Sequence, residues 1–303
     1  MGASIWPVTD DFVAEVGDVD LSRPLSDADW HNIEGAYHRY GVLVFPDQHL
    51  SQEQHVAFAR RFGEIDRSMV AAMNVDGTRI PPDIADVSNL DPDGNVMGAD
   101  DRLNQFQRGN RLWHTDSSFK DVPANASLLY LRSIPPVGGQ TEFADARAAW
   151  DAAPEDLRRR LEGRIALHSI AVSRAKLGFT MTAEENARYP LVPQAVVRTH
   201  RISGRRSIYL ASHAGRIVDM DEADGRALID EAMAWATQRR FVHTHRWRVN
   251  DLVVWDNRCV LHRGRPFDDA RWPRDAQRAT SLDVANTVVQ EGLELRTPIT
   301  ATT

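Results

Sequence analysis

One cysteine, Cys259, occurs in 303 residues. An intramolecular disulfide and a multi-cysteine zinc site are therefore excluded, and a reducing, cytoplasmic setting is expected. Lysine is nearly absent as well: Lys120 and Lys176 stand beside 34 arginines in a total of 36 basic residues. A net charge of −7 argues against the clustered positive face of a nucleic-acid binder. No apolar run approaches membrane-spanning length. The opening "MGASIWPVTDDF" lacks the basic region and apolar core of a signal peptide, and Trp6 stands where a myristoylation site needs Ser or Thr. Internal repeats, low-complexity segments and linkers are also lacking. What remains is ordinary for a single domain with a sizeable core: 42% hydrophobic and 26% charged residues.

Apolar spacing predicts a helix from Ser26 to Tyr40, with Ser26 as cap and Gly41 as stop, then a buried strand "VLVF" at 42–45. A second helix is expected from Ser51 to Phe62, opened by a Ser51–Gln54 capping box. These make an N-terminal helix–strand–helix unit over about 20–65. From 66 to 111 periodicity is lost among Pro81, Pro82, Gly77, Gly94, Gly98 and the methionines Met69, Met73 and Met97, as in a lid loop. Strands are expected at 127–131, 141–145, 198–202, 207–212, 241–249, 251–256 and 278–284, with helices at 145–163 and 222–238. Many short strands and few helices between them do not make a parallel sheet. They favour a mainly β domain with helical decoration, a jelly roll, whose core spans about 112–290 with a helical insert.

The stretch "LWHTDSSF" sets His114 and Asp116 two residues apart, so on an extended strand both project to one side. Such a pair alone is ordinarily a surface ion pair or a satisfied core group. In "DLVVWDNRCVLHRGRPF", however, an apolar strand runs through a turn to His262. Two histidines and one carboxylate form the facial triad of non-heme Fe(II) oxygenases, which leaves coordination positions open for substrate and O₂. His243 and His245 form a rival His-x-His pair for which ordinary core or surface roles are preferred. His31, His38, His49 and His55 are expected to be solvated on helices, and His168 and His213 carry no legible signal. Arg274 and Arg278 are four apart, share a face if extended, and suit a carboxylate.

"WHTDSSF", "GGQTEFAD", "WDNRCVLHRG" and "RxxxRAT", in that order, resemble the TauD/TfdA family of Fe(II)/2-oxoglutarate-dependent dioxygenases over nearly the whole chain. Segments 50–63, 110–119, 145–152, 198–206 and 236–247 are similar to those of its aryloxyalkanoate branch. The resemblance implies a cupin-like double-stranded β-helix, with Fe(II), 2-oxoglutarate and O₂ as cofactor and cosubstrates. It implies His114, Asp116 and His262 as iron ligands, and Thr141 and Arg274 as partners of the far carboxylate of 2-oxoglutarate. Arg278 would lie near the C1 end of 2-oxoglutarate and near the substrate's carboxylate. Asn110 is also expected on the substrate side, and His200, in "RTHRISGRR", is read either as facing the substrate or as structural. The turn after His262, "RGRPFDDARWP", leaves Arg271 open as the alternative to Arg274.

The implied reaction hydroxylates the carbon beside the ether oxygen of an aryloxyalkanoic acid such as 2,4-dichlorophenoxyacetate. The hemiacetal collapses to a phenol and a 2-oxo acid, while 2-oxoglutarate becomes succinate and CO₂. Two alternatives stand beside it: the same iron chemistry on another small acid, a sulfonate or an N-acyl amino acid, and a cupin-like binding protein with an inert metal. The expected partner is a small carboxylic acid, with no nucleic acid or membrane, and a homo-oligomeric state is expected.

Overall fold

Side chains along the strand Ala124–Leu131 alternate between two cores: Ala126, Leu128 and Tyr130 join one, Leu129 and Leu131 the other. This strand lies within the main sheet of the computed structural model, which describes residues 2–67 and 79–295. Seven strands pair in the order Ser4–Pro7, Val13–Gly17, Val42–Phe45, Leu252–Asp256, Ala124–Leu131, Ala276–Leu282, Ala85–Asp86. Only Val13–Gly17 beside Val42–Phe45 is parallel.

One face of this sheet packs on the helices Asp27–Tyr40 and Gln52–Ala59 through Ile33, Tyr37 and Phe58. Both helices begin as their sequences predict. Ser26 accepts from the Asp29 N–H, and Ser51 and Gln54 close a capping box. Gly41, with φ 84°, ends the first helix in the left-handed conformation that glycine tolerates best. The other face meets a three-stranded antiparallel sheet, Val242–His245, Thr141–Asp145 and Val260–Gly264, whose Phe143 and Val260 pack with Leu129, Val253 and Trp255. The outer side of that smaller sheet is covered by the helices Ala146–Asp151, Glu155–Leu161 and Glu222–Ala236.

Several boundaries differ from expectation. The helical stretch expected over 145–163, where Pro154 suits a helix start, divides into two helices, and Pro154, which supplies no backbone N–H, caps the second. The run at 198–202 leaves strand conformation after Thr199, where the Gly204 N–H closes a turn onto the His200 carbonyl. The N-terminal strands Ser4–Pro7 and Val13–Gly17 were not foreseen, and they build the first 45 residues into the main sheet. Met69 and Met73 lie outside the described residues. The described residues of the expected lid, 66–67 and 79–111, are more ordered than its composition suggests. Ala85–Asp86 pairs with Gln277 and Arg278, and a helix at Arg102–Gln107, capped by Asp101, runs into a 3₁₀ turn at Arg108–Arg111. A helix of six residues is too short to show a period. Among the described residues, no helix is long and apolar enough to cross a membrane.

His55, expected to be solvated, is buried and donates from Nε2 to the Leu128 carbonyl at 2.9 Å. Burial lowers its pKa from 6.5 to about 4. The unfolded chain therefore binds this proton first, and stability drains away as pH falls from about 6.5 to about 4, by on the order of 3 kcal/mol at this site. His55→Gln keeps a donor for Leu128 but cannot titrate. Its melting temperature should fall less than that of the wild type between about pH 7 and pH 4.5. Equal losses in the two proteins would contradict this assignment.

Candidate active site

His114 and His262 are joined by an isolated two-residue bridge between backbones, with the His114 N–H on the His262 carbonyl at 3.0 Å and the reverse bond at 2.8 Å. The expected shared strand face is thus corrected: His114 is extended, but the chain turns at Asp116, and Ser117 has φ 54°. Asn257 holds this turn, its Oδ1 accepting from the Asp116 N–H at 3.0 Å and its carbonyl accepting from Thr115 Oγ1 at 2.7 Å. The three groups still converge. His114 Nε2 lies 3.6 Å from Asp116 Oδ1, and His262 Nε2 lies 3.6 Å from Asp116 Oδ2.

His114 Nδ1 donates to the Leu112 carbonyl at 2.8 Å, which puts the lone pair on Nε2, toward Asp116. Asp116 is buried and accepts from Ser127 Oγ at 2.7 Å and from Arg278 Nη1 at 2.6 Å. Burial opposes its charge, but the Arg278 guanidinium and the two imidazoles hold its carboxyl well below the usual range. Burial, and then His114 beside it, pushes the His262 imidazole well down, so the ring is neutral. An ionised carboxylate with two imidazoles, all ligand atoms within 4.8 Å of one another, is a donor set that fits Fe(II). A second metal-capable group, His38, His200 and Asp256, is already bridged by protein. Arg258 Nη2 donates to Asp256 Oδ2 at 2.7 Å and contacts His38 Nδ1 at 3.3 Å.

Two cavities meet at the triad and share His114, Asn110, Gln107 and Arg278. The first runs past His262, Trp255 and Leu129 to Thr141 and Arg274. Thr141 Oγ1 accepts from Trp247 Nε1 at 3.0 Å, which leaves its hydroxyl proton to donate elsewhere. Arg274 has no carboxylate within 4.0 Å among the described residues, and burial lowers its pKa to about 10, still charged at neutral pH. A half-buried guanidinium that meets only the Val87 carbonyl, at 3.4 Å, beside a threonine hydroxyl and facing a cavity that reaches the triad, fits the far carboxylate of 2-oxoglutarate. Arg271, the alternative, is exposed and stacks over Trp272 at 4.8 Å. Arg274 precedes the strand Ala276–Leu282, so it does not share a strand face with Arg278 as expected, yet both line this cavity.

The second cavity is walled by Phe106, Phe119 and Ile170, with Arg174, His213 and Lys120 among its polar lining. Asn110 lines both cavities. His200 is buried against Asp256, with Nε2 at 3.0 Å from Oδ2, and lines neither cavity. His245 pairs with Asp251 at 3.0 Å. Trp113 turns away, its ring under the Arg263 guanidinium at 4.6 Å. Sequence reading missed Ser127, Arg174 and His213, which reach the site only through long-range packing. His213 carries no motif, and its ring stands 5.9 Å from that of His114.

The sequence model described as "Taurine catabolism dioxygenase TauD, TfdA family" matches residues 4–280. The chain is 44% identical over 277 residues to the alpha-ketoglutarate-dependent 2,4-dichlorophenoxyacetate dioxygenase of Cupriavidus pinatubonensis, covering 90% of this chain and 96% of that protein. It is 37% identical over 273 residues to the (S)-phenoxypropionate/alpha-ketoglutarate-dioxygenase of Sphingobium herbicidovorans, covering 87% and 90%. The crystal structure of AAD-2 in complex with Mn(II) and N-oxalylglycine superposes with a TM-score of 0.86 at 42% identity, covering 95% of this chain and 99% of that one.

The geometry predicts one divalent ion per chain at the triad. His262→Ala should weaken Mn(II) affinity, measured by calorimetric titration, by roughly 100-fold or more. Unchanged affinity would place the ion elsewhere.

Proposed function

The chain belongs to the taurine catabolism dioxygenase TauD, TfdA family, and from that premise we propose that it cleaves the ether of an aryloxyalkanoic acid. It is a 2-oxoglutarate-dependent non-heme iron dioxygenase. In this reading His114, Asp116 and His262 hold Fe(II), which with 2-oxoglutarate and O₂ supplies oxidative decarboxylation coupled to hydroxylation of one C–H bond. Thr141 and Arg274 grip the far carboxylate of 2-oxoglutarate, and Leu129 and Trp255 line the channel along its methylenes. The facing seven- and three-stranded sheets support reading the core as a double-stranded β-helix. The single buried cysteine, with its thiol pushed up to about 12 by burial, suits a cytoplasmic protein.

The observation that carries the substrate class is the second cavity: an apolar wall with two phenylalanines, opening on the same triad and lined by guanidinium groups. An aryl ring fits between Phe106, Phe119 and Ile170, while cations fix the carboxylate and hence the adjacent carbon. The similar proteins named for 2,4-dichlorophenoxyacetate and (S)-phenoxypropionate support the same class. A sulfonate or an N-acyl amino acid would use the same iron chemistry but would leave the aromatic wall without a partner ring.

Purified protein with Fe(II), ascorbate and 2-oxoglutarate should release phenol from 2,4-dichlorophenoxyacetate faster than it releases succinate with taurine or an N-acyl amino acid. The reverse order would reassign the substrate while leaving the iron chemistry intact. Arg274→Ala should raise the KM for 2-oxoglutarate by about 30-fold to several thousand-fold, since a buried carboxylate would lose its guanidinium partner. An unchanged KM would remove Arg274 from the cosubstrate site.

A further inference from the structure

Arg174 is 5% exposed, lines the second cavity and has no carboxylate within 4.0 Å among the described residues. Its Nη1 reaches only Ser173 Oγ, at 3.3 Å, and its Nε has no hydrogen-bond partner. A buried cation is costly unless an anion meets it. The fold nonetheless holds this one in place from two sides. Its guanidinium lies over the Phe106 ring at 4.2 Å, and it occupies the space above Gly109, where a Cβ would stand 2.0 Å from Nη1. Any side chain at 109 would therefore push the guanidinium aside. Of the other cations lining this cavity, Lys120 is already paired with Asp66 at 2.6 Å, Arg278 is paired with Asp116, and Arg67 is exposed to solvent.

We propose that Arg174 anchors the carboxylate of the substrate acid, so that it, rather than Arg278 alone, decides which acids the enzyme accepts. The inference rests on the aryloxy acid reading of the same cavity. Burial, and then repulsion from Arg278, lowers the Arg174 pKa to about 10, so the group stays charged at neutral pH and an anion between the two guanidinium groups relieves both effects. Position agrees with chemistry. In an aryloxyacetate the carboxylate is bonded to the carbon that is hydroxylated, so its anchor must lie beside the metal ligands. Arg174 shares its cavity with His114 and Asp116. The ring follows from the same placement, because Phe106, whose face carries the guanidinium, packs with Phe119 and Ile170 in one apolar cluster.

The test compares wild type, Arg174→Gln, Arg174→Lys and Gly109→Ala. Steady-state KM values are measured for the acid and for 2-oxoglutarate, together with calorimetric binding of the acid to protein loaded with Mn(II) and 2-oxoglutarate. Arg174→Gln and Gly109→Ala should raise the KM and Kd for 2,4-dichlorophenoxyacetate by about 30-fold or more, with the KM for 2-oxoglutarate within about twofold of wild type. Arg174→Lys, which keeps the charge but loses the fork, should fall between. Acid binding that is unchanged in Arg174→Gln and Gly109→Ala overturns the proposal. So do acid and 2-oxoglutarate constants that rise together, as a packing defect would make them. If Arg174→Gln does not fold, Gly109→Ala and Arg174→Lys decide by the same criteria. If wild type prefers taurine or an N-acyl amino acid, the aryloxy reading fails on its own, and the four proteins are compared on the preferred acid instead.

Discussion

The buried carboxylate of Asp116 is the constraint around which the site is built. A carboxylate this deep is tolerated only if it is met by hydrogen bonds and positive charge, and removing a partner of such a group costs about 3–5 kcal/mol. Ser127 and Arg278 supply those contacts from two neighbouring strands of the main sheet, and the imidazoles of His114 and His262 close on the other side. Asn257 fixes the turn that aims the carboxylate, and its Nδ2 also donates to Ser127 at 2.9 Å. Main sheet, smaller sheet and the 112–119 segment are thus tied to one charged group.

The arginines around this centre divide by whether the protein already answers their charge. Arg278 and Arg258 are paired with aspartates, and these pairs belong to the architecture. Arg274 and Arg174 are unpaired and face the two cavities that meet at the triad. Unanswered cations on a cavity wall, one buried and one half-buried, suit an anion brought from outside. Arg174 and Arg274, one in each cavity, match a reaction that takes two carboxylic acids, the substrate and the cosubstrate; Arg108 and the exposed Arg67 also line these cavities with no carboxylate partner among the described residues. The chemistry lies in the metal and the cosubstrate; the chain supplies position, and the aromatic wall adds selectivity by shape.

Where information was local, the sequence was legible. Ser26, Gly41, Ser51 and Gln54 mark helix ends that form as their chemistry predicts, and the buried runs 42–45 and 252–255 are apolar without interruption. The triad was readable because His114, Asp116 and His262 sit in recognisable motifs. Their convergence was foreseen for a partly wrong reason, since a turn held by Asn257, 141 residues away, replaces the expected strand. Residues whose role depends on distant packing were not legible. His200 could be read from its motif as a substrate group or as structural, and its pairing with Asp256 in the core favours the second. Arg174 has no motif, and its meaning depends on a glycine 65 positions earlier in the chain and on the ring of Phe106. His55 occupies a helix, but on the face that packs against Leu128.

The central claim is that the triad and Arg274 form one site, in which 2-oxoglutarate binds the metal at one end and the guanidinium at the other. Calorimetric titration of 2-oxoglutarate into Mn(II)-loaded and metal-free protein tests it directly. One molecule per chain should bind, at least about 30-fold more tightly with the metal present, because chelation adds to the contact with Arg274. Equal affinity with and without the metal would show that the two ends do not belong to one site, and would contradict the account.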